Sequence, residues 1–287
     1  MQGIYQKTFT LDEIRKKAPS VFATEPSKKT LDNYLFIPTV QILEGLQKNG
    51  FEVVSAKQQG TRTNNLDHAK HVLHLVHRSQ LEKGLTQGEY PILRMQNSHD
   101  AGSSFQVDTG IYRLVCSNGL VIPKTQFNSA RIIHNQNTSR ETIEASFRIL
   151  DNAQKEIELI DQMKSITLNA QERKLLADMA SNLVFDETTQ KLNRDCKIDL
   201  GTKLLTTRRR EDRAEDLWIT FNVIQENSIR GGLRIARESK SGRYINPTDN
   251  SRVSLTRTRE VKSIDTDKKL NVQLMTLAQK MAEIKTA

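Results

Sequence analysis

The sequence predicts an α+β fold: an antiparallel sheet of β-hairpins at about 51–134, packed with helices, and then a helical C-terminal half. Two patterns favour this class. Up to about residue 134, short apolar runs are separated by Gly and Asn, which is typical of antiparallel hairpins. Beyond residue 138, apolar residues recur every three or four positions, which indicates helices that each bury one stripe. A hydrophobic share of 36% beside 27% charged residues predicts a modest core and long exposed helix faces.

Two helices are expected before the sheet. Thr10 and Glu13 have the spacing of a capping box, in which each side chain bonds the backbone N–H of the other residue. The helix that they begin must end before Pro19, because proline breaks a helix interior. A second helix is expected over 39–48, since Gly50 provides the positive φ that commonly ends a helix.

The sheet itself is expected to be a meander of consecutive strands. Its first four strands are predicted at 51–56, 69–78, 91–96 and 104–115. The dipeptide Asn118-Gly119 precedes a further apolar run, and it is the dipeptide that type I′ turns prefer. It is therefore predicted to connect the last two strands.

Four helices are predicted in the C-terminal half. Two begin at the capping residues Thr138 and Asn169, and a third spans about 211–229 and ends at Gly231-Gly232. The fourth covers about 266–284.

The domain prediction follows from the position of this last helix, which is separated from the others by a polar, Arg-rich stretch. We expect a single α+β domain at 1–262, with the Arg-rich segment at 228–262 inside it. Residues 263–287 are expected to form a C-terminal helix that docks on a neighbouring subunit.

The Arg-rich segment at 228–262 carries most of the excess charge of the chain. It holds nine cations and three anions, and nine minus three gives +6 of the formal +9. Guanidinium groups interspersed with Ser, Thr and Gly suit a phosphate backbone, which they contact without choosing a base sequence. The alternative is an ordinary solvent-exposed loop. The cations predicted here to bind nucleic acid are Arg230, Arg234, Arg237, Lys240 and Arg243, extended by Arg208, Arg209 and Arg210.

Polar residues at the turns of the predicted sheet form a second candidate site. His99 stands beside Asp100, which invites a catalytic hypothesis with Ser98 or Cys116 as the nucleophile. Adjacent residues of an extended chain point to opposite sides, and Ser and Asp are common turn formers, so no residue is predicted to be catalytic. The side chains that the sheet is predicted to present to nucleic acid are Arg94, His99, Arg113 and Lys124.

Four histidines recur every third residue, at His68, His71, His74 and His77. On a helix this spacing would suit a metal site. The apolar and polar residues around them alternate as in a strand, which places His71 and His77 on one face and His74 on the other. The sequence therefore predicts no metal site and no cofactor.

The remaining motifs limit the class of protein. The sequence contains no phosphate-binding GxxxxGK[ST] loop, no GxGxxG and no HExxH, so nucleotide hydrolysis, hydride transfer and zinc proteolysis are not expected. Two cysteines in 287 residues favour a reducing compartment, and neither a signal core nor an apolar stretch long enough for a membrane is found. We expect a cytoplasmic protein without a membrane partner.

Two motifs carry a resemblance to a known family. One runs from Asn97-Ser98-His99-Asp100 to the stretch at 113–120, and the other covers 217–232. Over roughly residues 20–260, the chain resembles the phage/plasmid-like protein family, a domain of unknown function encoded by mobile elements. The resemblance implies a phage or plasmid origin and assigns no catalytic role.

Charge and architecture together predict a nucleic-acid-binding protein that is not an enzyme. The expected activity is binding of single-stranded DNA without sequence preference, and strand annealing during recombination or replication of the element. Annealing proteins commonly work as rings or filaments, so a homo-oligomer is expected. The few aromatic residues, 5% of the chain, suit a protein that leaves the bases free. The alternatives are a protein-interaction factor that inhibits host defence and a metal-dependent enzyme that uses the histidine run.

Overall fold

The predicted α+β class is the class of the structure: the computed structural model has an antiparallel sheet in the N-terminal half and a mainly helical C-terminal half. It describes residues 8–28, 30, 36–60, 66–82, 89–100, 102–113, 118–121, 129–132, 138–151 and 153–286. Side chains are described outside the stretches 81–90, 112–139 and 149–157. Contacts group the chain into two units, residues 1–158 with 262–264 and residues 159–261 with 265–287. The predicted domain boundary at residue 262 stays a prediction.

The first unit begins with helices α1 (Leu11–Lys17) and α2 (Thr39–Lys48). The predicted capping box of α1 is present: Thr10 accepts a hydrogen bond from the backbone of Glu13, whose carboxylate accepts one from the backbone of Thr10. Helix α2 is followed by Gly50 with a φ of 89°, as predicted. Two short helices thus precede the sheet, at the positions that the capping signals indicated.

The sheet of the first unit is antiparallel throughout. Its strands are β1 (Phe51–Gln58), β2 (His71–His77), β3 (Glu89–Asn97), β4 (Phe105–Arg113), β5 (Asn118–Val121) and β6 (Ser129–Ile132). They run in the order β1-β2-β3-β4-β5, and β6 also pairs with β4. Helix α3 (Arg78–Glu82) follows β2, and helix α4 (Thr138–Asp151) follows β6. The predicted meander is confirmed.

The turn predicted at Asn118-Gly119 is wrong. Asn118 pairs with Arg113 and Gly119 pairs with Tyr112, so both residues lie inside the strand ladder as the first residues of β5. The connection between β4 and β5 falls on residues 114–117, which lie outside the described part of the chain. A dipeptide that favours a turn was therefore overruled by the pairing of the strands around it.

The core of the first unit lies between α1, α2, α4 and one face of the sheet. Apolar residues alternate along the strands and recur at helical spacing in α2, so both elements bury one face. Those that are completely or nearly completely buried include Ile14, Ile42, Leu43, Leu46, Phe51, Val53, Leu73, Leu75, Leu93, Met95, Phe105 and Val107.

The second unit is built from five helices and a small sheet. Helix α5 (Ala153–Ser165) leads into it, and it continues with α6 (Ala170–Val184), α7 (Glu187–Asp195), α8 (Leu200–Leu204), α9 (Leu217–Arg230) and α10 (Ile264–Thr286). The predicted cap at Asn169 is a complete capping box. Between α9 and α10, strands β7 (Arg234–Glu238), β8 (Tyr244–Ile245) and β9 (Arg252–Arg257) form an antiparallel sheet in the order β7-β9-β8.

Helix α9 is the centre of the second unit, because all of its residues except Ile219 and Arg230 are buried. The Trp218 ring stacks on Phe221, with ring centroids 5.6 Å apart. The terminal helix α10 packs in the same unit: its Asn271 accepts a 2.7 Å hydrogen bond from the Gln225 amide of α9, and both side chains are buried. The apolar stripe of α10 is therefore buried against other residues of the same chain. Docking on a neighbouring subunit stays a prediction.

Candidate functional site

The two sheet residues Arg94 and His99 are buried, with 3% and 0% of their surface exposed. Arg94 lies on β3 and faces Asp108 of β4, with 3.3 Å between Nη1 and the carboxylate, and it donates a 2.7 Å hydrogen bond to Gln96. A buried guanidinium that is paired in this way cannot reach a phosphate backbone. His99 is likewise too deeply buried to contact a polyanion.

His99 belongs to a buried polar network that also contains Ser20, Thr39, His71 and Asn97. The Thr39 hydroxyl lies 3.0 Å from His71 Nε2 and 3.1 Å from His99 Nε2, and it accepts a 3.0 Å hydrogen bond from the Asn97 amide. His71 Nδ1 lies 2.8 Å from the Ser20 hydroxyl, which itself donates to Gln58. The network ties α2 to strands β2 and β3.

These contacts assign the protons of the network. Ser20 donates to Gln58, so it accepts from His71, and His71 Nδ1 carries the proton. His71 Nε2 is then an acceptor, and the Thr39 hydroxyl donates to it. Because Thr39 has one proton, it accepts from His99 Nε2. Burial lowers the pKa of His71 to about 4, which keeps this ring neutral at neutral pH. The network positions the chain and leaves no group open to a substrate.

The other residues of this motif are also structural. Ser98 is buried, and Asp100 accepts a 2.9 Å hydrogen bond from the backbone N–H of Gly102, as turn-forming aspartates do. The side chain of Arg113, and the whole of Cys116 and Lys124, lie outside the described residues. Nothing in the described structure therefore groups the predicted sheet residues into a site.

The four histidines at 68–77 separate into different environments. His68 contacts the carbonyl of Glu25, His71 is buried in the network above, and His77 lies 3.2 Å from the carbonyl of Asn49. His74 pairs in register with Arg94 on the neighbouring strand. Within the described part of the chain, no group of three His, Cys, Asp or Glu residues is placed to hold a metal ion.

Three of the predicted arginines are occupied by contacts within the second unit. Arg209 makes two 2.6 Å hydrogen bonds to the buried Glu226 carboxylate, and Arg230 reaches the same carboxylate at 3.0 Å. Arg208 donates to Asn227 and to the carbonyl of Gly231. Arg210 is exposed on a short 3-10 turn. Arg208, Arg209 and Arg230 therefore mainly hold α9 in place.

The rest of the Arg-rich segment folds as the small sheet and its connections, residues 233–258, which we name the arginine hairpin. Its cations are exposed, and no ion pair within the described residues joins them to a carboxylate. They are Arg234, Arg237, Lys240, Arg243, Arg252 and Arg257. Ala236 and Val253 anchor one face of the sheet on Leu192 of α7. Strands β7 and β9 were not expected from the sequence, because polar residues outnumber apolar ones in both.

Two arginines of the hairpin stand directly opposite each other. Arg234 of β7 pairs in register with Arg257 of β9, so their side chains leave the same face of the sheet. Like charges at this spacing destabilise a sheet. An arrangement that is unfavourable for folding and is neutralised by no ion pair in the described residues points to an anionic ligand.

The opposite face of the hairpin borders a cleft of about 720 Å³. Ile235, Arg237, Ser254 and Thr256 share this face by register. The cleft lies between the hairpin, the end of α6, the end of α9 and the start of α10, and it is lined by Arg237, Arg259 and Lys269 among others. Its lining also includes Leu183, Val184, Phe185 and Leu270. Arg257 borders the cleft too, although its register directs the side chain to the other face.

The backbone beside the cleft is fixed by a glycine pair that ends α9. Gly231 has a φ of 65° and a ψ of −145°, and a Cβ on it would lie 2.6 Å from the carbonyl oxygen of Arg259. Gly232 donates a 2.8 Å hydrogen bond to the carbonyl of Thr258. The end of α9 is thus held against the chain that carries Arg259.

One carboxylate lies near the cationic wall. The backbone N–H of Thr189 holds the pKa of Asp186 below its ordinary value, and the charge of Arg237 contributes to the shift. Among the described residues that line the cleft, none is Asp or Glu. The cysteine of this unit is not a candidate nucleophile: burial raises the pKa of the Cys196 thiol, which keeps it protonated.

Comparisons with known proteins give a family and no activity. The family model described as Domain of unknown function (DUF932) matches residues 29–275. The chain is 33% identical to the UPF0380 protein YfjQ of Escherichia coli (strain K12), over 274 residues that cover 95% of this chain and 91% of the relative. It is 32% identical to the UPF0380 protein YafZ of the same strain, again over 274 residues that cover 95% of this chain and 91% of the relative. No solved structure matches the chain. Among the described helices, none is both long and apolar enough to cross a membrane.

Proposed function

The chain belongs to the family described as Domain of unknown function (DUF932), as the sequence resemblance predicted, and we propose that it binds single-stranded DNA of a phage or plasmid through the arginine hairpin. The binding is independent of base sequence and serves strand annealing in recombination or replication. One observation carries the proposal: exposed cations on adjacent strands, with Arg234 and Arg257 opposed and no ion pair to a carboxylate among the described residues.

The side chains of the hairpin favour contacts with the phosphate backbone of DNA over contacts with its bases. Guanidinium groups bind phosphate oxygens in pairs of hydrogen bonds, and a row of them follows a chain of phosphates. The hairpin exposes a single aromatic ring, Tyr244, so stacking on bases contributes little there. The bases of a bound strand then stay free to pair, which annealing requires. A cytoplasmic location and a homo-oligomeric ring or filament belong to the same proposal.

The test is fluorescence anisotropy with a labelled single-stranded oligonucleotide across a salt series. We expect affinity to fall steeply with salt, because each neutralised phosphate releases counterions. Arg234→Ala with Arg257→Ala should lower the slope of log K against log salt by about 0.7 for each lost contact. The control is Arg140→Ala with Arg148→Ala, which removes the same charge from α4. An affinity that does not change with salt concentration would overturn the proposal. So would an equal decrease in affinity in the two double variants.

A protein-interaction role is the second candidate, for instance an inhibitor of host defence. Its supporting observation is an apolar stripe on α6, where Leu175, Met179 and Leu183 are spaced by one helical turn and are exposed by 54%, 39% and 37%. In this case, a partner captured from host extract should stay bound when Arg234 and Arg257 are replaced by Ala. Loss of the partner with those arginines would argue for the nucleic-acid role.

A further inference from the structure

The cleft beside the arginine hairpin combines two chemically different walls. One wall is cationic: Arg237, Arg259 and Lys269 are exposed, and the described structure pairs none of them in a salt bridge. The other wall is apolar and consists of Leu183, Val184, Phe185 and Leu270. A ligand that fits both walls carries an anionic group at one end and a flat or apolar group at the other.

Hydroxyl groups add specificity to the cationic wall. Thr256 lines the cleft, and its Oγ1 is buried without a hydrogen-bond partner, which is uncommon for a buried hydroxyl. Thr258 uses its Oγ1 to accept from the backbone of Leu233, so its proton remains available to a further acceptor. Thr258 also lines the cleft, and its hydroxyl can donate to an oxygen of a phosphate.

The size of the cleft limits the ligand. A volume of about 720 Å³ lies in the range of pockets for small molecules and cofactors, roughly 300–1,000 Å³. It accommodates one nucleotide and is too small for a duplex. The half-buried Gln273 lies on the lining and offers an amide to the edge of a base.

We propose that this cleft binds one nucleotide of the strand in each protomer, with its phosphate against Arg237, Arg259 and Lys269 and its base against Leu183 and Leu270. The proposal rests on the proposed function, which supplies the strand. The hairpin holds the neighbouring phosphates, and their bases stay free. A captured nucleotide fixes the register of the strand on the protein, which a purely electrostatic surface does not do.

The first experiment compares a short oligothymidylate with an abasic oligonucleotide of the same length in the same salt. We expect the oligothymidylate to bind about tenfold more tightly, because one base is buried on an apolar wall. Leu183→Asn should abolish this difference and leave the abasic affinity unchanged. Leu175→Asn is the matched control, because it makes the same change on the same exposed face of α6, outside the cleft. Equal affinities for the two oligonucleotides in the wild-type protein would overturn the proposal.

A second experiment uses free deoxythymidine 5′-monophosphate and separates this proposal from the proposed function. Calorimetry should detect its binding, with deoxyribose 5-phosphate and inorganic phosphate binding at least several-fold more weakly. Lys269→Gln, which removes a cation from the wall of the cleft, should weaken mononucleotide binding several-fold, while Lys280→Gln, the same change on α10 outside the cleft, should not. Mononucleotide binding without oligonucleotide binding would keep the cleft and remove the proposed function. If the protein binds the oligonucleotide without preferring a base and does not bind the mononucleotide, the proposed function stands and the nucleotide site in the cleft is ruled out. If it binds neither the oligonucleotide nor the mononucleotide, both proposals are wrong.

Discussion

A single buried carboxylate, that of Glu226, contacts two arginines of the second unit, Arg209 and Arg230. It is 2% exposed and accepts hydrogen bonds from Arg209, while Arg230 lies 3.0 Å away. Arg209 also reaches the buried Asp212 at 3.1 Å. A buried carboxylate is stable only when a cation pairs with it, so the main role of these arginines is to stabilise the folded protein.

Replacement of this carboxylate should destabilise the protein strongly. Glu226→Gln keeps the shape of the side chain and leaves Arg209 without its main counter-charge, so we expect the free energy of unfolding to fall by about 2–3 kcal/mol. Arg230→Ala removes the more exposed partner and should cost less than about 1 kcal/mol. Denaturant unfolding of both variants measures the difference. Equal losses would show that the contact with Arg230 accounts for the whole effect, which would contradict the main role given to Arg209.

The buried His71 gives the first unit a dependence on pH. Its pKa is lowered from 6.5 to about 4, because burial disfavours the charged ring. Between these values, the unfolded chain takes up a proton and the folded protein does not. The free energy of unfolding therefore decreases as the pH falls from 6.5 to about 4, by up to ~3 kcal/mol from this group.

Chemical denaturation across this pH range tests the assignment. We expect His71→Gln to be less stable than the wild-type protein at pH 7 and to lose less stability on acidification. His68→Gln is the control, because the half-buried His68 lies outside the network and its Nε2 is 3.1 Å from the carbonyl of Glu25, so its replacement leaves the network intact. His74 adds to the same trend in the wild-type protein: burial and the charges of Arg94 and Lys57 lower its pKa to about 3. A His71→Gln variant with the full wild-type slope would contradict the assignment.

At the scale of elements, local capping signals predicted the starts of α1 and α6, because they act between residues three apart, whereas α7 and α8 were not expected from the sequence. The boxes at Thr10 and Asn169 are both present, and Gly50 follows α2. The strands of the first sheet were also predictable, since their apolar residues alternate. Asn118-Gly119 failed as a turn, because the register of β4 and β5 is decided by partners that lie outside the dipeptide.

The sequence predicted which charged residues the candidate site contains, but it did not predict how the fold arranges them. The Arg-rich segment was recognised by its charge, but its strands were not, since Ala236 and Val253 pack on Leu192, which is distant from them in sequence. Burial of Arg94 and His99 depends on Asp108 and Thr39, which are distant in sequence. The cleft is formed by residues from Leu183 to Gln273, and no local pattern describes such a set.

The glycine pair at the end of α9 should be sensitive to substitution in a graded way. At Gly231, a side chain meets both an unfavourable φ and the backbone of Arg259, so Gly231→Ala should lower the free energy of unfolding by at least ~2 kcal/mol. At Gly232, the φ is 84° but the nearest atom to a Cβ is Arg208 Nη2 at 3.9 Å, and a loss of about 1 kcal/mol is expected. Thermal unfolding compares the two. A milder effect at Gly231 than at Gly232 would show that the end of α9 relaxes.

For the whole molecule, the formal charge of +9 is unevenly placed. The arginine hairpin exposes its cations, whereas Arg209 and Arg230 of the same unit are bound by Glu226, and Lys174 is bound by Asp178 and Asp199. An uneven surface of this kind attracts a polyanion to one region and orients it.

If strand annealing is the function, the mass in solution should respond to DNA. We expect light scattering to report a multiple of the 32.7 kDa protomer when single-stranded DNA is added, as in a ring or filament. The comparison is the Arg234→Ala, Arg257→Ala variant, which should keep its mass with and without DNA. A complex that contains one protomer for each short strand at every concentration would contradict assembly.

The opposed Arg234 and Arg257 have a consequence beyond recognition. Without a bound anion, the positive charges of the two arginines repel each other and destabilise the sheet. Bound phosphate groups would neutralise these charges and remove the repulsion. If the protein binds a nucleic acid through these arginines, it should be more stable in the complex than alone, and its melting temperature should be higher with single-stranded DNA than without it.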